Sequence, residues 1–406
     1  MRKRNDLFGS RRRQTGVALM AMLLLVGLWG LYLFVGQLNA TQSVVTARQQ
    51  RAATALAQAR EALVGDAVSR LPVGGAGYLR LPDLGSNAAL TTEGYASLTF
   101  AGEGKDLSVI GKIPWKTIAA APLRDQDGEC LWYVLSGRFK NSTPVLKTDV
   151  LNWDTLGQID VIGPSGNVIA RNLAALIVAP GRALGQQSRA LAAPAYAECG
   201  GNYDARNYLD PFNYVDAAGV NYFLGGINNR VAADTSNKSF VASGGNGYND
   251  RFIFVTVDHI FDPLTRRSDF AAAIGALLDD PTFRAYLQAI VVAGSKGTDN
   301  VDCNQAPDPD FCRNWKEMLF LTQLPVPSPI TIDGQPSASC DRVLMFSGRK
   351  TTGQSRTTPA EKANQNNYLE NANAAAFAVP TASALNFSGA LAFNFRAPAA
   401  DLVRCL

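Results

Sequence analysis

The stretch RRRQTGVALMAMLLLVGLWGLYLFVGQ, residues 11–37, sets three arginines and a glycine directly against twenty uncharged, largely apolar residues, Val17 to Gly36. At about 1.5 Å per residue a helix of that length covers roughly 30 Å, the thickness of a bilayer core, so the stretch reads as a membrane span over 17–36. A secretory signal has a shorter apolar region and a small-x-small cleavage site. Here the best candidate, after Ala40, has the bulky Leu38 three positions back. Arg2, Lys3, Arg4, Arg11, Arg12 and Arg13 precede the span and no charge follows it before Arg48, which orients the amino end to the cytoplasm and everything after Gln37 outward.

Charge and cysteine usage agree with that division. The 406-residue chain carries 38 basic and 34 acidic residues. Residues 1–16 hold six of the former and one of the latter, so the remainder has 32 against 33, a net of −1. The positive charge is therefore a topology signal, and no nucleic-acid partner is implied. Cys130, Cys199, Cys303, Cys312, Cys340 and Cys405 all lie beyond the span, an even number that reads as a disulfide framework in an oxidising compartment. Cys303 and Cys312 enclose NQAPDPDF, a short loop whose prolines favour closure; the other four can pair in several ways. Zinc needs close Cys/His spacings, and a single histidine with no C-x2-C pair offers none.

The helix continues past the span. From Gln37 to Val64 there is neither Gly nor Pro, and Ala52, Leu56, Ala59, Leu63 and Ala67 recur at spacings of three and four, an apolar stripe that must be covered. Pro72 and the glycines after it end the pattern, giving one helix over 17–69.

These features resemble type IV prepilins and the pseudopilins of type II secretion: a basic leader, a glycine, an apolar stretch, and a long helix whose outer half docks on a head domain. The resemblance implies a leader over 1–16, cleavage after Gly16 by a prepilin peptidase, and Val17 as the new, N-methylated terminus. Most of the family carries glutamate at the fifth mature position, where this chain has Ala21. RRRQTGVAL is similar to the leaders of minor pilins and tip pseudopilins, which commonly lack that acid. ALAQAREALVGDAVSR, IGKIPWKTI, LRDQDGECLWYVLSGRFKN, AALIVAPGRALGQQSR, YNDRFIFVTVDHIFDPLTRR and NNYLENANAAAF occur in an order that resembles prepilin-like proteins of proteobacteria with no assigned biochemical role.

Read physically, ECLWYVLSGRF, NLAALIVAPG and DRFIFVTVDHIF are strand candidates bounded by turn residues, which suggests an antiparallel sheet against the helix. DFAAAIGALLDDPTFRAYLQAIVVAG reads as two helices meeting at DDP, because Pro281 starts a helix better than it continues one. Leu344–Phe346 and Leu391–Phe395 read as short late strands, and residues 200–250 as a long loop or insertion. The expected fold is α+β: a long N-terminal transmembrane helix packed on an antiparallel-sheet head, with further helices and a disulfide-bearing C-terminal region. The expected segments are a leader 1–16, a helix 17–69, a β-rich pilin-like head 70–265, a helical segment 266–300 and a disulfide-bearing region 301–406.

No nucleophile elbow, phosphate loop or zinc helix is present, so no enzyme is expected. The one histidine, His259, sits beside Asp258 at the end of a strand candidate and reads as structural. Asp125, Asp127 and Glu129, and Asp308 and Asp310, place oxygen ligands on alternating loop positions and are calcium candidates; no other cofactor is implied. The expected function is a minor pilin or pseudopilin, a subunit for assembly, initiation or the tip of a type IV pilus or type II secretion pseudopilus. Its partners are other pilins or pseudopilins through the N-terminal helix, the prepilin peptidase and the bacterial inner membrane, with the head in the periplasm. A permanently anchored periplasmic binding or adhesion protein and an anchored hydrolase are the alternatives.

Overall fold

The computed structural model describes residues 15–71, 75–85, 93–97, 108–140, 151–185, 187–189, 198–199, 202–210, 238–242, 248–291, 294–378 and 385–406. The first element, α1, runs Thr15–Ser69, and the chain divides into two units, Met1–Thr54 and Ala55–Leu406. Within the first unit, every residue from Leu19 to Phe34 is exposed. Among the described residues no helix is long and apolar enough to cross a membrane, which corrects the transmembrane reading of 17–36.

In the second unit the end of α1 is part of the core. Ala55, Leu56, Ala59, Leu63 and Ala67 are buried and cluster with Leu79, Leu81, Tyr133, Leu135 and Ile177. Burying Leu56 and Leu63 contributes about 2 kcal/mol each. Asp66 fixes the exit from the helix, pairing with Arg70 one turn on at 2.5 Å and with Arg80 at 3.1 Å.

Seven short strands follow: β1 (Val109–Lys112), β2 (Trp132–Leu135), β3 (Ile159–Ile162), β4 (Val168–Leu173), β5 (Ala175–Ala179), β6 (Lys238–Val241) and β7 (Arg251–Val255). Four form an antiparallel sheet in the order β1-β2-β5-β7. Alternation of side chains across this sheet separates two cores. Val109, Tyr133, Leu135, Ala175, Ile177 and Val255 join the α1 core, whereas Ile110, Trp132, Val134, Leu176 and Val178 join a smaller core with Ile159, Val161, Leu173, Tyr208 and Phe240. The unbroken apolar run ALIVA follows from this, because β5 is buried on both faces. The smaller core is closed by a three-stranded sheet, β4-β3-β6, in which β3 and β6 run parallel.

The strand reading of DRFIFVTVDHIF holds only to Val255. Thr256 caps a helix, α2 (Val257–Thr265), and two further helices follow, α3 (Ser268–Asp279) and α4 (Pro281–Ala289). Asp280 accepts the Phe283 N–H at 2.7 Å and Pro281 takes the first turn, so DDP is the junction the sequence indicates.

The C-terminal sheet is built on a hairpin, β9 (Leu319–Ile332) with β10 (Gln335–Phe346), flanked by β8 (Ser295–Lys296), β11 (Asn386–Phe387) and β12 (Leu402–Cys405). Its turn is Asp333-Gly334, both at positive φ, as a two-residue hairpin loop requires. Arg342 of β10 reaches α4 and donates to the carbonyls of Leu287, at 2.7 Å, and Ile290, placing a cation at a helix C-terminus. The expected strand over Leu391–Phe395 is not formed. Leu391 is exposed, while Phe393 turns inward to stack 6.1 Å from Trp153 and to meet Phe270 edge-on at 5.5 Å, so packing overrides the alternation. Of the 200–250 region, 200–201, 211–237 and 243–247 lie outside the described residues.

Candidate functional site

The feature that most needs a partner is the first half of α1. Leu19, Leu23, Leu24, Val26, Leu28, Trp29 and Phe34 are each at least 60% exposed, on every side of the helix. A helix that is apolar all round is normally buried, and an exposed apolar surface of this extent marks association. Gly27 and Gly30 leave open space where a Cβ would stand, so another helix can approach the backbone closely there. Ala21 is exposed on the same stretch and brings no charge to it. Gly16 and Val17 fall at the start of α1; residues 1–14 of the expected leader lie outside the described residues.

The other sequence candidates take structural positions. His259 is exposed on α2, where its N–H donates to Thr256 Oγ1 and its Nδ1 accepts the Thr256 N–H at 3.1 Å, a reciprocal capping box. Partial desolvation, and then the Arg60 guanidinium, lower its pKa. His259 also borders a groove of about 340 Å³ between α2 and the Arg60–Val68 stretch of α1. Asp125 is buried: Oδ1 accepts the N–H groups of Asp127 and Glu129 at 2.8 and 3.0 Å, and Oδ2 that of Gly181 at 2.7 Å. Glu129 pairs with Arg189 at 3.1 Å, and Asp127 accepts from Gln126. Asp308 Oδ1 caps a short helix, α5 (Pro309–Trp315), by accepting from Asp310 and Phe311, and Asp310 pairs with Arg313. The carboxylates of both calcium candidates thus meet backbone N–H groups, an amide or arginines, and among the described residues no group of three or more His, Cys, Asp or Glu could hold a metal ion. The six cysteines form Cys130–Cys199, Cys303–Cys312 and Cys340–Cys405.

Sequence reasoning passed over the buried charges. Arg356 and Asp154 pair at 2.8 Å with side chains 0% and 3% exposed, and Arg356 lies over the Tyr368 ring. Lys296 sits 4.0 Å from the centroid of the same ring, and burial lowers its pKa to about 8. Lys112, Asp83 and Glu93 are buried together near Cys199. The available signal was a lone charge inside an apolar strand, as in VIGK, which cannot name its partner. Compared with protein-family models, curated proteins and solved structures, the chain finds no match.

Proposed function

We propose that this chain is a structural, pilin-like subunit that assembles with other pilin or pseudopilin subunits through the Leu19–Phe34 stretch of α1, with its disulfide-bearing head in an oxidising compartment outside the cytoplasm. The observation that carries the reading is the uncharged helical stretch exposed on all sides, which is stable only when other apolar surfaces cover it. The three disulfides support the compartment, since they persist where thiols are not kept reduced.

Ala21 supports a place at an end of the assembly. The acid that usually stands there accepts a neighbour's terminal amine; a subunit with alanine offers its own amine but cannot receive one through that pair. A tip or initiator role, at low copy number, follows. Cleavage after Gly16 would expose Val17 at the start of α1. The test is the intact mass of protein recovered from cells with an active prepilin peptidase. A chain beginning at methylated Val17 is expected, and one retaining Met1 to Gly16 would overturn the pilin-like reading.

A further inference from the structure

We propose that the Cys340–Cys405 disulfide is a thiol-exchange site: in the folded protein a dithiol oxidoreductase reduces it through Cys405 and unlatches the outer arm of the β9–β10 hairpin, while the other two disulfides stay closed. The site is independent of the assembly role, since it involves only the C-terminal sheet.

The arm begins where the hairpin ladder is interrupted. Gln323 pairs with Arg342 and Ser328 with Cys340, so the β9 residues Leu324 to Pro327 all stand against Asp341 alone. Pro325 and Pro327 have no N–H to donate, and Val326 is 58% exposed. At this bulge β10 turns to β12 instead: the Asp341 N–H donates to Leu406 O at 3.2 Å, and the Leu406 N–H to Arg342 O at 2.8 Å. Cys340 is the first β10 residue on the arm side of Asp341, and its bond to Cys405 ties the base of the arm to β12.

The two ends of that tie are held differently. β12 pairs with β10 from Val343 to Phe346, on the body side of the bulge, and Arg284 of α4 donates to Cys405 O at 2.6 Å. The far end of the arm is fixed by hydrogen bonds to the β11 stretch, from the Thr331 N–H to Leu385 O at 2.8 Å and from the Asp333 N–H to Phe387 O at 2.9 Å. Opening the disulfide therefore leaves Cys405 in place and loosens the arm at its base.

Access separates this disulfide from the others. Cys130, Cys199, Cys303 and Cys312 are at most 8% exposed and Cys340 is 0% exposed, whereas Cys405 is half-buried. Its Sγ lies 3.8 Å from the carbonyl oxygen of Ala338, an exposed residue of the arm. Exchange depends on which sulfur a thiolate can reach, so the attack falls on Cys405 Sγ and Cys340 is the leaving group. Ser337 Oγ stands 3.9 Å from Cys340 Sγ, placed to donate to the thiolate that forms.

In the reaction a thiolate of the dithiol attacks Cys405 Sγ. A mixed disulfide forms, the Cys340–Cys405 bond breaks, and the electron pair leaves on Cys340 Sγ, which takes a proton. The second thiolate of the reductant then attacks its own partner sulfur and releases Cys405, which is protonated in turn. The dithiol loses two electrons to become a disulfide, and the two cysteines gain them.

The test uses the full-length, folded protein titrated with dithiothreitol, with alkylation and peptide mapping at each step. Cys340 and Cys405 should be alkylated together, about tenfold faster than the other four cysteines. A thioredoxin whose resolving cysteine is replaced by serine should be trapped on Cys405 and not on Cys340. After this selective reduction, amide hydrogen exchange should quicken in residues 328–340 and stay unchanged in β2 and β5. The double variant Cys340→Ser, Cys405→Ser should show the same quickened exchange with no reductant added. Prior or simultaneous opening of either other disulfide, or trapping on Cys340, would overturn the exchange site; selective opening with unchanged exchange over 328–340 would overturn the latch.

Discussion

Asp401, just before β12, is the clearest place to test the packing of the C-terminal region. Its Oδ2 accepts the Glu370 N–H at 2.9 Å and Asn373 Nδ2 at 2.8 Å, and its Oδ1 accepts the Gly348 N–H at 3.4 Å, so one buried side chain ties three segments together. Burial outweighs those bonds and raises its pKa from 3.8 to about 6. Because the folded-state value lies above the unfolded one, the contribution is fully present below the unfolded pKa and is lost as pH rises through the folded pKa. The shift corresponds to about 3 kcal/mol of stability lost between roughly pH 4 and pH 7. Asp401→Asn removes the titration but leaves an amide NH2 facing a donor, at a pH-independent cost of about 1–3 kcal/mol. Guanidinium unfolding of both proteins at a series of pH values cancels the carboxylates they share. Wild type should be the more stable at pH 4, with its advantage falling by about 3 kcal/mol, and so vanishing or reversing, by pH 7. A difference that stays constant across this range would refute the reasoning.

Arg356→Met removes one partner of a fully buried ion pair and leaves Asp154 uncompensated, so a loss of about 3–5 kcal/mol is expected in the same unfolding assay; a loss below about 1 kcal/mol would contradict the burial of that pair. Gly157→Ala would place a Cβ 1.8 Å from the Leu173 carbonyl oxygen, so β3 and β4 must separate, and the variant should be recovered mostly insoluble or with a sharply lowered melting temperature. Alkylation of the unreduced protein should label none of the six cysteines, and peptide mapping should return the pairs 130–199, 303–312 and 340–405; any other pairing, or a freely labelled cysteine, would count against the fold.

What the sequence made legible follows local physics. The DDP junction could be read because Asp280 and Pro281 act within one helical turn, and the Leu56–Leu63 stripe because burial follows the helical period. Of the long β9–β10 hairpin only Leu344–Phe346 was read as strand, although Asp333-Gly334 marks its turn: Pro325, Pro327 and Pro329 in β9 hide the strand pattern. His259 was placed at a strand end because DRFIFVTVDHIF alternates throughout, whereas the cap at Thr256 decides where the strand stops. Four of the six cysteines have partners more than sixty positions away, and only folding brings Cys130 to Cys199 and Cys340 to Cys405. The backbone bridge between the buried residues Asp83 and Lys112 and the ion pair of Asp154 with Arg356 were illegible for the same reason. The apolar stretch of α1 was plain in the sequence, but its reading as a membrane span was not upheld among the described residues.

The central claim is that Leu19–Phe34 is covered by other subunits, and site-specific photo-crosslinking tests it most directly. A photoreactive residue in place of Leu24, which is 67% exposed, should give adducts with the N-terminal helices of other pilin-like subunits when the whole assembly is present. Mass spectrometry of the same preparation should find this chain far below the major subunit in copy number. A chain that is exported, carries its three disulfides and yet forms no adduct with any other subunit from that position would contradict the account.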